Sequence, residues 1–179
     1  MRYKGHRVGV FVDVQNLYYC AKNLYQSFPN YKALLNEAAR ERQIVCAFAY
    51  VVSANIPKQE DFFEALRSAG IEVKQKDLQV FPGGIKKGNW DVGIAVDILR
   101  YMDKIDVVVL ASGDGDFTEL LEYLRNRGVK TEVMSFGRTT SKKLIETADE
   151  FIDLDQSAEK YLMNKSSVRS TYRKTKNQE

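Results

Sequence analysis

Residues 7–13 have the sequence RVGVFVD, a run of β-branched and apolar side chains that closes on an aspartate. Such an uninterrupted apolar run is typical of a β-strand that is buried on both faces, as the strands of parallel sheets are. A second run of this type, DVVVLAS, spans residues 106–112. We therefore expect both segments to be central strands of one sheet and to lie close to each other.

Predicted helices alternate with predicted strands along the rest of the chain. The other strands are expected at residues 44–52, 71–76, 129–135 and 151–154, and a turn or hairpin at residues 80–88. Helices are expected at residues 17–42, with a break near Pro29, and at 57–70, 90–101, 117–126 and 141–148. This alternation favours a parallel sheet covered by helices on both faces. The predicted fold class is a single Rossmann-like, three-layer α/β domain with a mainly parallel central sheet.

The composition limits the kinds of metal site and the cellular location that can be expected. The chain has 179 residues, of which 44% are hydrophobic, but no run of about 18 apolar residues that would span a membrane. It contains two cysteines and one histidine, too few for a zinc site of the usual kind, so oxygen ligands would have to hold any metal. The cysteines lie in apolar segments and are expected to be reduced, and no signal peptide is evident. Together these features predict a cytoplasmic protein.

Positive charge is concentrated at the C-terminus. Residues 156–179 include six Lys or Arg and two Glu, and we divide the chain into a domain at residues 1–155 and a basic tail at 156–179, partly helical or disordered. A basic tail on a nearly neutral body is one way to hold a polyanion. Solvated tails without a ligand have the same composition.

Acidic residues follow the two strands that are predicted to be central. Asp13 closes the first, and the second is followed by Gly113-Asp114-Gly115-Asp116. Because ligands bind outside the carboxyl ends of parallel strands, these carboxylates are expected to meet at one edge of the sheet. Like charges at short distance repel unless a proton or a cation intervenes. Mg²⁺ or Mn²⁺ is the cation that such oxygen ligands suit.

Each polar residue of this set also has a structural interpretation. Asp116, three residues before Glu119, fits a capping box at the start of a helix. Asp91 and Asn16 also stand at predicted helix starts, where each is a candidate N-cap. Asp114 lies between two glycines and suits a turn, although glycines also allow the backbone to approach a ligand closely.

Asp97 is the acidic residue with the most apolar surroundings, because it lies between Val96 and Ile98 in a predicted helix. Six residues separate it from Asp91, which places the two side chains about 120° apart around the helix axis. A carboxylate in such a position is costly unless it is paired. We therefore expect Asp97 either to have a partner or to face the site.

Three blocks of the sequence resemble the signature blocks of NYN domains, which are PIN-like folds. They are residues 11–18 (FVDVQNLY), 87–97 (KGNWDVGIAVD) and 112–117 (SGDGDF). The resemblance is greatest to the LabA-like branch and extends over about residues 7–154. The family's first block has the pattern Asp-Gly-x-Asn, and here Val14 replaces the glycine.

The resemblance implies a ribonuclease that depends on Mg²⁺ or Mn²⁺. By position, the implied metal ligands are Asp13, Asp91 and Asp114. Asp116 is a fourth acidic position, Asn16 corresponds to the family's amide, and Asp97 is a supporting acid. The expected catalytic set is therefore Asp13, Asp91, Asp114, Asp116 and Asn16.

The same resemblance implies RNA, and single-stranded RNA in particular, as the partner. Candidate phosphate contacts are Lys86, Lys87, Lys142 and Lys143, each of which is otherwise an ordinary solvated lysine. Tyr18 and Tyr19 are candidates for stacking on a base or for packing in the core.

The alternative to an enzyme is a regulatory or RNA-binding NYN module that does not cleave. A phosphoryl-transfer enzyme acting on small molecules is disfavoured, because Gln15 stands where a haloacid dehalogenase has its second aspartate and no Walker motif is present. The oligomeric state stays open, with a homodimer as one option.

Overall fold

The centre of the protein is a six-stranded sheet in which every neighbouring pair of strands is parallel. The computed structural model describes residues 4–53, 59–77, 79–80 and 86–163, without the side chains of 79–80 and 86–87. The strands are β1 (Arg7–Asp13), β2 (Gln43–Ser53), β3 (Glu72–Asp77), β4 (Gln79–Val80), β5 (Lys86–Lys87), β6 (Val107–Ala111), β7 (Lys130–Ser135) and β8 (Glu150–Asp153). The order in the large sheet is β3-β2-β1-β6-β7-β8.

The helices complete a three-layer α/β arrangement. They are α1 (Val14–Tyr25), α2 (Tyr31–Ala39), α3 (Gln59–Ser68), α4 (Asp91–Tyr101), α5 (Thr118–Asn126), α6 (Lys142–Thr147) and α7 (Ala158–Tyr161). The predicted fold class is confirmed, and the sheet is parallel throughout. None of the described helices combines the length and the apolar character needed to cross a membrane.

Strand β1 lies in the middle of the sheet, with β2 on one side and β6 on the other. Its successive side chains point to opposite faces. Val10 packs with Leu17 of α1 in one core cluster, whereas Phe11 packs with Ile94 of α4 in the other. Because helices cover both faces, both sets of side chains are buried, as the composition of residues 7–13 predicts.

The helical segment that follows β1 begins earlier than the sequence predicts. Asp13 is the N-cap of α1 and accepts a hydrogen bond from the backbone N–H of Asn16 at 3.1 Å. The helix therefore starts at Val14 rather than Leu17, and Asn16 lies inside it. The predicted break near Pro29 is confirmed, since α1 ends at Tyr25 and α2 begins at Tyr31.

A buried ion pair ties β2 to the other half of the sheet. Arg42 donates to both carboxylate oxygens of Glu132 in β7, at 2.8 and 2.9 Å, and both side chains are fully buried. Arg42 also donates to the backbone carbonyls of Ala38 and Ala39 at the end of α2. These bonds fix where α2 ends and β2 begins.

The predicted turn at residues 80–88 contains a short antiparallel pair, in which Gln79 faces Lys87 and Val80 faces Lys86. Residues 81–85 lie outside the described part of the chain. Of the predicted basic tail, residues 156–163 are described and include α7, and residues 164–179 are not.

Candidate metal centre

The carboxyl ends of β1 and β6 bring the predicted acidic residues to one edge of the sheet. Val12 pairs with Ala111, so the residues that follow each strand emerge side by side. β1 continues into Asp13 and α1, while β6 continues into a loop and a 3-10 helix at Gly115–Phe117. The expected juxtaposition of Asp13 with the Asp114 loop is therefore present.

Asp13 is the most buried carboxylate at this edge, with 8% of its surface exposed. Its Oδ1 accepts from the Asn16 backbone N–H at 3.1 Å, and its Oδ2 accepts from the Ser112 hydroxyl at 3.1 Å. Ser112 Oγ in turn accepts from the Asp114 backbone N–H at 3.3 Å. These bonds hold the Asp13 carboxylate in a single orientation at the end of β1.

Asn16 fastens helix α1 to the loop after β6. Its Oδ1 accepts from the backbone N–H of Gly113 at 3.0 Å, and the Cys20 thiol lies 3.9 Å from the same oxygen. The N-cap interpretation of Asn16 is wrong, since Asp13 fills that position. The amide instead holds the start of α1, next to Asp13, beside the loop that carries Asp114 and Asp116.

Three other carboxylates lie close together at the same end of the sheet as Asp13. Asp91, Asp114 and Asp116 each offer an oxygen, and these atoms all lie within 4.8 Å of one another. Asn89 Nδ2 donates to Asp91 Oδ2 at 2.6 Å, and Asp114 Oδ1 accepts from the Asp116 backbone N–H at 3.0 Å. We call Asp91, Asp114 and Asp116 the acidic triad. It differs from the metal set expected from the sequence, since Asp116 belongs to it and Asp13 does not.

The electrostatics of this edge disfavour full ionisation. Burial, together with the nearby charges of Asp91 and Asp114, raises the pKa of Asp13 to about 6. Burial also raises the pKa of Asp91, and Asp114 and Asp116 add to that rise. Within the described residues, no Lys or Arg forms an ion pair with any of these four carboxylates. The donor set is all carboxylate oxygen, with no neutralising side chain among the described residues, and it fits a hard divalent cation.

Asp97 does not belong to the acidic triad. Its carboxylate accepts from Lys74 at 2.7 Å, from the Tyr50 hydroxyl at 3.1 Å and from Arg100 at 3.2 Å. Although burial alone would raise it, these bonds lower the pKa of Asp97 below its ordinary value. Of the two expectations for this residue, a partner is the one observed. These bonds hold α4 against β2 and β3, and the supporting role implied by the resemblance stays a prediction.

The capping interpretations of the other aspartates also fail. Trp90, not Asp91, is the N-cap of α4, and Phe117 holds that position in α5, so Asp116 makes no capping box with Glu119. The turn interpretation of Asp114 is confirmed, because its side chain caps the 3-10 helix. Asp114 thus has a structural contact and a place in the triad at once.

The two glycines around Asp114 serve packing within the protein. A Cβ atom on Gly113 would come within 2.9 Å of Ser135 Oγ and 3.0 Å of Thr140 Oγ1. One on Gly115 would come within 2.9 Å of Ser141 Oγ. These glycines let the loop approach the segment between β7 and α6.

Two of the four predicted lysines can be placed. Lys142 and Lys143 form the first turn of α6 and are exposed. Just before them, the Ser141 backbone N–H donates to the Gly113 carbonyl at 3.0 Å, so this helix starts beside the acidic loop. The side chains of Lys86 and Lys87 lie outside the described part of the structure.

Sequence reasoning missed Ser112 and Tyr31. Ser112 is fully buried and bridges Asp13 to the Asp114 backbone, and its position at the end of an apolar strand was the available signal. Tyr31 carries a buried hydroxyl that has no hydrogen-bond partner among the described residues. Burial raises the pKa of this hydroxyl, and the charge of Asp13 adds to that rise.

Comparison with known proteins identifies the family of the chain. Residues 7–155 match the family model for the NYN domain. The chain belongs to the NYN domain family. This NYN chain is 29% identical over 162 residues to the Low amplitude and bright protein LabA of Synechococcus elongatus, with 87% of each chain covered. A crystal structure of a protein of unknown function from Vibrio parahaemolyticus has a TM-score of 0.82 and 37% identity. That alignment covers 91% of the NYN chain and all of the Vibrio chain.

Proposed function

We propose that the protein is a metal-dependent ribonuclease that hydrolyses phosphodiester bonds of single-stranded RNA. The observation that carries the proposal is the acidic triad, backed by Asp13, with no Lys or Arg ion pair among the described residues. Membership of the NYN family, which has a PIN-like nuclease fold, supports the same chemistry.

The side chains of the site would have two roles: some would bind the cation and others would hold the cation ligands in place. Asp91, Asp114 and Asp116 would hold Mg²⁺ or Mn²⁺ through carboxylate oxygens, and Asp13 would join them from behind once a cation favours its ionised form. A bound ion would lower the pKa of a coordinated water and neutralise charge on the phosphate. Asn16 and Ser112 keep the carboxylates in place, since both bond the segments that carry them.

RNA would bind across the exposed surface around the acidic triad. Lys142 and Lys143 at the start of α6 are suited to contact phosphates, and Lys86 and Lys87 remain predictions of the same kind. The basic residues of the C-terminal segment would add affinity without sequence preference.

The test is cleavage of a labelled single-stranded RNA by purified protein with Mn²⁺, with Mg²⁺ or with EDTA. We expect cleavage with either ion and none with EDTA. Asp114→Asn should reduce the rate at least about 100-fold, because it removes a charge from the ion's ligands. Asp103→Asn is the matched control: this exposed aspartate lies in a 3-10 helix just before β6, at the opposite edge of the sheet. Full activity in Asp114→Asn would refute the assignment.

The second candidate is an NYN module that binds RNA and regulates without cleaving it. The similarities to LabA and to the Vibrio protein support the family and the fold without establishing cleavage, so this alternative stands beside the first. RNA binding that survives EDTA, with no cleavage under any ion, would establish this alternative.

A further inference from the structure

A group of aromatic side chains lies where α1 meets the loop before α2. It consists of the half-buried Tyr18 and the exposed Tyr19 and Phe28, together with the adjacent Met163, and we call these four residues the aromatic patch. The ring centroid of Tyr18 is 5.5 Å from that of Tyr19 and 5.7 Å from that of Phe28. Tyr19 is 52% exposed, Phe28 37% and Met163 39%. Of the two interpretations for the tyrosines, core packing does not fit Tyr19.

Hydrogen bonds to the backbone hold together the two segments that carry Phe28 and Met163. The Met163 backbone N–H donates to the Phe28 carbonyl at 2.8 Å, and the Ser27 hydroxyl donates to the Met163 carbonyl at 3.0 Å. Pro29 and Leu162 form an antiparallel bridge beside them. Ordered aromatic rings that stay exposed are unusual on a surface without a ligand, because their burial is favourable.

The patch and the metal centre are both connected to helix α1. Asp13 is the N-cap of this helix, and Tyr18 follows five residues later, about 7.5 Å further along the axis. A nucleotide whose phosphate reached the acidic triad would therefore have neighbouring bases within reach of the patch.

The charges around the patch suit a polyanion. Lys22 Nζ lies 5.6 Å from the centre of the Tyr18 ring. The chain continues from Met163 into a segment with five basic residues and one acidic residue: Lys165, Arg169, Arg173, Lys174, Lys176 and Glu179. Aromatic rings for bases beside cations for phosphates are the usual means of binding single-stranded nucleic acid. A duplex would not use such rings, because its bases are already stacked on each other.

We propose that the aromatic patch is a base-stacking subsite, which binds unpaired bases of the RNA next to the phosphate that is cleaved. The choice of RNA rests on the proposed function. The subsite explains a preference for single strands that the acidic triad alone would not provide, since carboxylates and an ion contact only the phosphate.

The experiment measures binding separately from cleavage. A single-stranded RNA containing 2-aminopurine is titrated with protein in EDTA, where fluorescence quenching reports stacking and anisotropy reports affinity. We expect quenching by the wild type, and a rise in Kd of about tenfold for each of Tyr19→Ala and Phe28→Ala. The conservative changes Tyr19→Phe and Phe28→Tyr should restore both signals. Tyr123→Ala, at a 44% exposed tyrosine on α5, should change neither.

The outcomes separate this proposal from the ribonuclease proposal. Unchanged Kd and quenching in Tyr19→Ala and Phe28→Ala, with unaltered thermal midpoints, would overturn the subsite even if the wild type cleaves RNA. Weakened binding in these variants, with no cleavage by the wild type, would uphold the subsite and refute the nuclease. No RNA binding by the wild type would overturn the subsite. A wild-type dimer that these variants dissociate would also overturn it and would assign the patch to protein contacts.

Discussion

Replacing Asp13 with asparagine should make the metal-free protein more stable at neutral pH, although it removes a residue of the candidate site. The reason is the cost of keeping this buried carboxylate ionised beside Asp91 and Asp114. In unfolded chains Asp13 ionises with the ordinary pKa of 3.8, and in the folded protein it ionises at about 6. The folded state therefore holds a proton that the unfolded state has already lost between these two values.

The magnitude follows from that difference. One pKa unit is worth about 1.4 kcal/mol, so the rise from 3.8 to about 6 corresponds to about 3 kcal/mol. This stability is fully present below pH 3.8 and is lost as the pH rises from there through 6. The introduced amide would still accept from the Asn16 backbone N–H, but it would lose the bond donated by Ser112, at about 1 kcal/mol. The variant should thus be about 1 kcal/mol less stable than the wild type below pH 3.8 and about 2 kcal/mol more stable at pH 7.

Urea denaturation in EDTA, followed across this pH range, measures the effect. The control is the same series with Mn²⁺, which should stabilise the wild type more than the variant, because the ion favours ionised Asp13. A difference between wild type and variant that stays constant with pH would refute the reasoning, since it would show that Asp13 ionises at an ordinary pH.

Three further outcomes test the structure elsewhere. Arg42→Met should lower the free energy of unfolding by about 3–5 kcal/mol in urea denaturation, because it removes the bidentate partner of buried Glu132; an unchanged midpoint would contradict the pair. In Gly93→Ala the added methyl would collide with the ring of Trp90, the only tryptophan, so we expect a loss of about 1–3 kcal/mol and a shifted fluorescence emission; an unaltered spectrum would show that the ring is not packed there. Asp97→Asn should lower the free energy of unfolding, measured by thermal denaturation, by about 1–3 kcal/mol, because it weakens the pairs with Lys74 and Arg100. The Mn²⁺ affinity of this variant, measured by calorimetry, should stay within about twofold of the wild type. Loss of Mn²⁺ binding would show that Asp97 belongs to the metal site.

The fold could be predicted from the sequence because its main signal is local. The apolar run at residues 7–13 requires burial on both faces, and only an interior strand of a covered sheet provides that. The neighbouring position of β6 followed from the same composition. The order of the outer strands did not follow, since it depends on packing between segments far apart in the chain.

The site was predictable in its composition but not in its geometry. Strand ends placed Asp13 and Asp114 correctly at one edge, whereas the exchange of Asp13 for Asp116 in the triad depends on the 3-10 turn at Gly115–Phe117. The environment of Asp97 showed that it needs a partner. Lys74, which is 23 residues away, could not be named from helix periodicity because it lies on another element.

The strand order β3-β2-β1-β6-β7-β8 has a consequence for how the protein is made. Val8 of β1 pairs with Val107 of β6, so one side of the first strand stays unpaired until about 100 more residues have left the ribosome. Because the ribosome adds about 5–20 residues per second, this side of β1 stays unpaired for several seconds or more, with only β2 bound to the other side. Chains that stop before β6 would expose that edge permanently, so premature termination is expected to give aggregates rather than partly active fragments.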